Sequence, residues 1–276
     1  MNGRGFGIAQ ALEQLLPPLV REAFTVLTQL GDAWFIFTAV ALLYWFGERE
    51  EGAFALGAVL GALALTVALK GLFELPRPPA GIRVGHASGY GFPSGHAIGA
   101  TVLWGVLVEA LEHRNRRWRA IAAAAVVAVV LTSRVVIGVH YFVDVAVGAL
   151  IGLAYLGGLL HWGDWRPRRA FAAAGVFALA ALATAGLSPD AVATLAGVVG
   201  AGATWLTFDG PPRTPVNAPA AFAGLLALAA VGYVGNELEL SLLAVFGLNM
   251  VVPAGILLLP VAVDRAREMG SGTPIR

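Results

Sequence analysis

SRVVIGVHYFVDVAVGALIGLAYLGGLL, residues 133–160, carries Ser133, Arg134, His140 and Asp144 at its start and then stays apolar to Leu160. The apolar part, about 140–160, is long enough to read as a membrane-spanning helix. Ionisable groups at the mouth of such a helix are costly in a bilayer and mark a functional site. Two more polar clusters lie against apolar runs in the same way, KGLFELPRP at 70–78 and FPSGHA at 92–97. Each stands where a helix leaves the hydrocarbon and its polar groups meet water, which suits a reaction at a membrane surface.

Composition agrees with this reading. Of the 276 residues 58% are hydrophobic and 13% charged, and the mean hydropathy is +0.77. The fold class expected is all-α, a polytopic helical membrane protein, rather than a soluble domain. The net charge of +1, with basic residues in short runs beside apolar segments, speaks against nucleic-acid binding. Without cysteine the chain has no disulfides, no thiolate chemistry and no Cys-ligated metal.

Around the clusters the chain divides into apolar segments at about 24–46, 52–72, 95–111, 119–136, 140–160, 169–187, 190–207, 218–235 and 240–263, nine expected spans. Residues 1–23, with Glu13, Pro17, Pro18, Arg21 and Glu22 among leucines, read as an interfacial amphipathic helix. The loop 73–93 is rich in Pro and Gly and is expected to cap the site. A Pro-rich link, FDGPPRTPVNAP at 208–219, interrupts the C-terminal third. The expected organisation is therefore an interfacial helix over 1–23, a six-span core over 24–187, and a transmembrane extension over 188–276 through which copies could associate. With the loop 73–93 outside, the inside loops carry 12 of the 18 basic residues, so the positive-inside rule puts all three clusters on the external face and the C-terminus in the cytoplasm.

The chemistry follows from bringing the clusters together. Lys70, Arg77 and Arg134 are three cations at a low-dielectric boundary, offset only by Asp144 and Glu74, so the site wants an anion. Two arginine forks and one compact ammonium suit phosphate. Ser94 and Gly95 open the next span and would point a helix N-terminus at the same anion. His140 and Asp144, spaced i, i+4, share a helix face, so the carboxylate can orient the imidazole and free its other nitrogen as a nucleophile. His96 is then left to protonate the leaving oxygen. No run of carboxylates suggests a magnesium site, so neither a metal nor a cofactor is expected. His86 reads as a solvated loop histidine, and Glu109 as a helix-paired group.

Read as KxxxxxxRP, PSGH and SRxxxxxHxxxD, the clusters resemble the signature of the type 2 phosphatidic acid phosphatase superfamily, which includes membrane lipid phosphatases and vanadium haloperoxidases. Lys70, Arg77, Pro78, Pro93, Ser94, Gly95, His96, Ser133, Arg134, His140 and Asp144 all match in order. The resemblance covers about 24–187. It implies His140 as nucleophile, Asp144 as its partner and His96 as acid, with Lys70, Arg77, Ser94, Gly95 and Arg134 holding phosphate. It implies a metal-independent hydrolase of a lipid phosphate monoester or polyprenyl pyrophosphate in the cell membrane, working through a phosphohistidine. A lipid-linked phosphotransferase would look the same. An anion or lipid transporter is the alternative of another class; it calls for broken helices and repeat symmetry, neither visible in the sequence. A lipid substrate would arrive sideways, through gaps expected beside Gly99, Ala100, Gly148 and Gly152.

Overall fold

The computed structural model describes residues 6–85, 87–113, 115–208, 215–237 and 240–271, and among them the chain is all helix and loop. His86 of the 73–93 loop lies outside the described residues, as do Arg114, Arg213 and Arg276, three of the twelve inside-loop basic residues.

The N-terminal amphipathic segment is two helices, α1 (Phe6–Leu15) and α2 (Pro18–Leu27), because Pro17 and Pro18 permit a helix start but not a continuous helix. The first span is not the single helix expected over 24–46. After α2 the chain makes a 3₁₀ turn (Thr28–Gly31), becomes extended at Asp32, and resumes as α3 (Ala33–Phe46) at an angle of 41°. Gly31 and Asp32 are poor helix-interior residues, and Asp32 takes the N-cap position of α3. The break lies beside the helix start at Gly95, where Gly31 approaches the His96 carbonyl, at the end of the bundle that carries the polar clusters.

Helix α4 (Arg49–Phe73) is the central post, packed by α3, by α5 (Gly95–Ala110), by α8 (Pro167–Ala185) and by α9 (Pro189–Leu206). Surrounded on all sides, it is apolar all round and rich in Ala and Gly. Beta-carbons on Gly57, Gly61 and Gly71 would fall 2.2–2.8 Å from atoms of α7 or α8, so these glycines set the close packing of α4. Helices α6 (Arg116–Val136) and α7 (Phe142–Gly163) complete the core, and α10 (Ala218–Glu237) and α11 (Leu242–Ser271) follow.

The nine apolar segments all become helices, and a smaller number of the described ones have the length and hydropathy of a full span. Five helices, α4, α6, α7, α8 and α11, are long and apolar enough to cross a bilayer, and six if the bent α2–α3 pair is counted as one. Helix α5 has 16 residues, about 24 Å at 1.5 Å per residue, which is short of a hydrocarbon core of about 30 Å. Helix α9 is packed by α4, α8 and α11, so its Ala, Gly and Thr residues need not face lipid.

The C-terminal helices share one hydrophobic core with α3 and α4, through Val198, Ala201, Trp205, Ile256 and Leu257. Proline supplies a specific tie. Pro260 inside α11 has no N–H to give the carbonyl four residues earlier, that of Ile256, and Trp45 Nε1 donates to that oxygen at 2.8 Å. At the opposite end of α5 from the polar clusters, Arg116 Nε donates to both Glu109 oxygens at 3.1 Å, the helix-paired role expected of Glu109.

Candidate active site

Four helix ends meet at one side of the bundle: the C-terminus of α4 with Lys70, the N-terminus of α5 with Gly95 and His96, the C-terminus of α6 with Arg134, and the N-terminus of α7 with Asp144. The loop 74–94 covers them. It is stitched by Arg83, whose Nε donates to Pro78 O at 2.6 Å and Nη1 to Ala87 O at 3.1 Å, and is tied to the α6–α7 turn by Val84 N–H to Ile137 O at 2.8 Å. Arg21 of α2 closes the other side, donating to Val136 O at 3.2 Å and to Ile82 O.

His140 lies in the turn between α6 and α7 and is buried. Its Nδ1 is 2.7 Å from the Gly91 carbonyl oxygen, and its Nε2 is 3.2 Å from Arg77 Nη1. A carbonyl only accepts and a guanidinium only donates, so these partners fix the tautomer: Nδ1 carries the proton and Nε2 presents its lone pair. Asp144, buried in the first turn of α7, sits 3.7 Å from Nδ1 and accepts from the Tyr141 N–H at 2.9 Å; because α7 starts only at Phe142, the two residues do not share the helix face that their spacing suggests. The carbonyl of Gly91 is thus the nearer orienting group and the carboxylate stands behind it, whereas the sequence pointed to the carboxylate alone. Burial pushes the His140 pKa well below its ordinary value, and the charges of Arg77, Arg134, Lys70 and His96 push it further. That four groups from the three clusters act on one imidazole shows that the clusters converge.

The cations are held but not neutralised. Arg77 Nε donates to Ser88 O at 2.9 Å and Gly89 O at 3.2 Å, and Nη1 to Val139 O at 3.2 Å. Arg134 Nη1 donates to Thr28 Oγ1 at 2.9 Å, while its buried Nε has no hydrogen-bond partner among the described residues. None of Lys70, Arg77 and Arg134 has a described carboxylate within salt-bridge distance. The charge of Asp190, in the first turn of α9, acts on Lys70, so the C-terminal extension reaches the rim of the site.

Ser94 is the N-cap of α5: its hydroxyl accepts from Ala97 N–H at 3.4 Å, and its own N–H donates to the Asp144 carbonyl at 3.0 Å. That N–H is therefore committed to α7, and it is the first-turn N–H groups of Gly95 and His96 that helix geometry leaves without intrahelical acceptors. A beta-carbon on Gly95 would fall 2.9 Å from Thr66 Cγ2, which gives this glycine a packing reason as well.

The expected gaps at small residues are absent. Beta-carbons on Gly148 and Gly152 would lie 3.0 Å from the Ser94 carbonyl and 3.1 Å from the Ile98 carbonyl, and one on Gly99 would lie 2.9 Å from Ile36 Cδ1. Small residues here let α7 and α3 close on α5 instead of opening a lipid portal.

Two groups at the site were not among the sequence candidates. Asp32, from the break between α2 and α3, has Oδ2 3.5 Å from His96 Nε2. Thr28 comes from the same turn. Asp32 carried a readable signal, since a lone carboxylate inside an apolar stretch is rarely idle.

The PAP2 superfamily matches residues 51–168, which contain every sequence-predicted site residue. Over that region the chain is similar to the PAP2 superfamily. This is the family that its motifs resemble. Phosphatidylglycerophosphatase B of Bacillus subtilis (strain 168) is 28% identical over 156 residues, 53% of this chain and 76% of the relative. The crystal structure of the first transmembrane PAP2 type phosphatidylglycerolphosphate phosphatase from Bacillus subtilis aligns with 58% of this chain and 84% of its own, at 26% identity and a TM-score of 0.49. With this match and its membrane-spanning helices, the chain is a membrane enzyme of the phosphoric-ester hydrolase class. The PAP2 match leaves out Thr28, Asp32 and all of α9–α11.

Proposed function

We propose that this protein is a lipid phosphatase that removes phosphate from a lipid monoester or a polyprenyl pyrophosphate by way of a phosphohistidine on His140, without a metal. The observation that carries the reading is the fixed imidazole: Nδ1–H on the Gly91 carbonyl and an Nε2 lone pair facing the Arg77 guanidinium. A neutral, oriented imidazole beside uncompensated cations is a nucleophile waiting for a phosphate.

Lys70, Arg77, Arg134, the Ser94 hydroxyl and the N–H groups starting at Gly95 hold the phosphoryl oxygens. Nε2 of His140 attacks phosphorus, the ester P–O bond breaks, and the proton of His96 goes to the departing lipid oxygen. The phosphorylated ring is then cationic, and the carboxylate of Asp144, 3.7 Å from Nδ1, offsets that charge as it forms. Water next gives a proton to His96 as its oxygen attacks phosphorus, the P–N bond breaks, and phosphate leaves with His96 ready for another cycle.

The relative's printed name makes phosphatidylglycerophosphate a natural first substrate. Phosphatidate and polyprenyl pyrophosphate present the same group, and a lipid acceptor in place of water would make the protein a phosphotransferase. The distribution of arginines supports a cell-membrane protein with its site on the external face and its C-terminus in the cytoplasm.

The test is phosphate release by the purified protein in detergent with EDTA, across phosphatidylglycerophosphate, phosphatidate and a polyprenyl pyrophosphate, beside His140→Ala. Metal-independent release lost at least roughly 10³-fold in the variant is expected. Full activity in His140→Ala would sink the mechanism, and inhibition of the wild type by EDTA would sink the metal-free reaction.

A further inference from the structure

We infer that Asp32 is a positioning residue for His96, its carboxylate keeping that imidazole protonated for transfer to the leaving oxygen; this rests on the phosphatase reading above. His96 Nε2 is buried and makes no hydrogen bond among the described residues, and the Asp32 carboxylate 3.5 Å away is the acid that meets it. The other charged or titratable groups facing His96 are Arg134 from α6, Lys70 from α4 and His140 from the α6–α7 turn. Burial first, and then the charges of Arg134 and Lys70, oppose a proton on His96. A general acid set among cations needs a counter-charge, or it is neutral when its proton is required.

The element that delivers Asp32 is built for this place. Asp32 occupies the N-cap position of α3, where the Ala33 and Trp34 N–H groups act on its carboxylate beside His96. The 3₁₀ turn before it also supplies Thr28, which accepts from Arg134 Nη1 at 2.9 Å. Gly31 lets that turn approach: a beta-carbon there would lie 2.6 Å from Val130 Cγ1 and 3.4 Å from the His96 carbonyl oxygen. One break in one helix therefore serves both an arginine and a histidine of the site. In the reaction the imidazolium of His96 gives a proton from its other ring nitrogen to the ester oxygen as the P–O bond breaks, and the Nε2–H facing Asp32 is retained. Asp32 stays ionised throughout.

The test compares wild type, Asp32→Asn and Asp32→Glu on dioleoyl phosphatidate, whose alcohol must be protonated as it leaves, and on p-nitrophenyl phosphate, whose phenolate leaves unaided. Asp32→Asn is expected to lower kcat on phosphatidate by roughly 10²-fold with little change in KM, and kcat on p-nitrophenyl phosphate by less than about threefold. The basic limb of the phosphatidate pH profile should move to lower pH, and Asp32→Glu should recover most of the rate. In a His96→Ala background Asp32→Asn should cost less than about twofold more. Vanadate affinity, set by Lys70, Arg77 and Arg134, should stay near wild type and so separate a lost proton donor from a collapsed site. Equal losses on both esters, or wild-type activity of Asp32→Asn on phosphatidate, would overturn the inference and leave the phosphatase reading standing. Hydrolysis of neither ester by the wild type would remove that reading and the inference with it.

Discussion

Replacing Arg77 by lysine keeps the charge and removes the fork. Arg77 Nη1 serves two acceptors at 3.2 Å, the Val139 carbonyl and His140 Nε2, and Nε serves two loop carbonyls at 2.9 and 3.2 Å. A lysine head can meet one of the Nη1 acceptors, so one charge-assisted bond of roughly 1.5 kcal/mol is lost there. The Nε pair is exposed and is counted at only roughly 0.5 kcal/mol. The second prong on a bound phosphoryl group adds roughly 1.5 kcal/mol. The total, about 3.5 kcal/mol, corresponds to a loss of a few hundredfold in kcat/KM. The assay is steady-state phosphate release from a lipid monophosphate in detergent, with vanadate inhibition measured in parallel. Because the arginine also fixes the Nε2 lone pair of His140, kcat should fall as well as affinity. An Arg77→Lys enzyme within about fivefold of wild type would show that charge alone suffices and would refute the fork argument.

The depressed pKa of His140 means the nucleophile is neutral well below pH 6.5, so the acid limb of kcat/KM is expected well below that value; a limb at 6.5 that vanishes with His140 would contradict this. The same shift makes the unfolded state the better proton acceptor, so the contribution of His140 to stability is intact above the unfolded pKa of about 6.5 and is lost progressively as pH falls below it, checkable by thermal unfolding across that range. Gly148→Val would force α7 off α5 where a beta-carbon already meets the Ser94 carbonyl at 3.0 Å, and a cost of about 1–3 kcal/mol with loss of activity is expected, read by unfolding and phosphate release. Trp45→Phe leaves the Ile256 carbonyl without its donor and should cost about 1 kcal/mol; Pro260→Ala restores an N–H to that carbonyl, so additivity of the two changes would refute the coupling.

The polar half of the site was legible because charge is expensive in a membrane. Lys70, Arg77, His96, Arg134, His140 and Asp144 stand out from their apolar flanks, and the structure brings them to one side of the bundle. What failed to show was carried by groups with no distinct side-chain signature. The acceptor on His140 Nδ1 is the backbone of Gly91, and no side chain announces a carbonyl. Asp32 was visible but absorbed into a hydrophobic count, because one acid in a long apolar stretch leaves its average high. Gly148 and Gly152 misled for a related reason: a small residue on a helix face fits either a gap or a close approach, and only the neighbour decides. The short α5 was equally hidden, since Ala and Gly on both sides of a helix end blur the boundary.

Charge balance in the site also argues for one kind of substrate. Three cations, Lys70, Arg77 and Arg134, face two carboxylates, Asp32 and Asp144, which leaves one positive charge, and a protonated His96 makes it two. A phosphate monoester dianion brings that total to zero, whereas a diphosphate trianion overshoots by one. One unbalanced charge about 10 Å from the centre of the site costs roughly 1.7 kcal/mol at an effective dielectric of about 20, more than tenfold in kcat/KM. Farnesyl phosphate should therefore be a better substrate than farnesyl diphosphate by at least about tenfold, the tail being identical and only the anion different. Asp32→Asn removes one negative charge and with it the proton of His96, so the total is unchanged and the preference should persist even as both reactions slow. A diphosphate preferred by the wild type would mean that the second phosphoryl group finds cations outside that set, and Arg83 on the covering loop would be the first to replace.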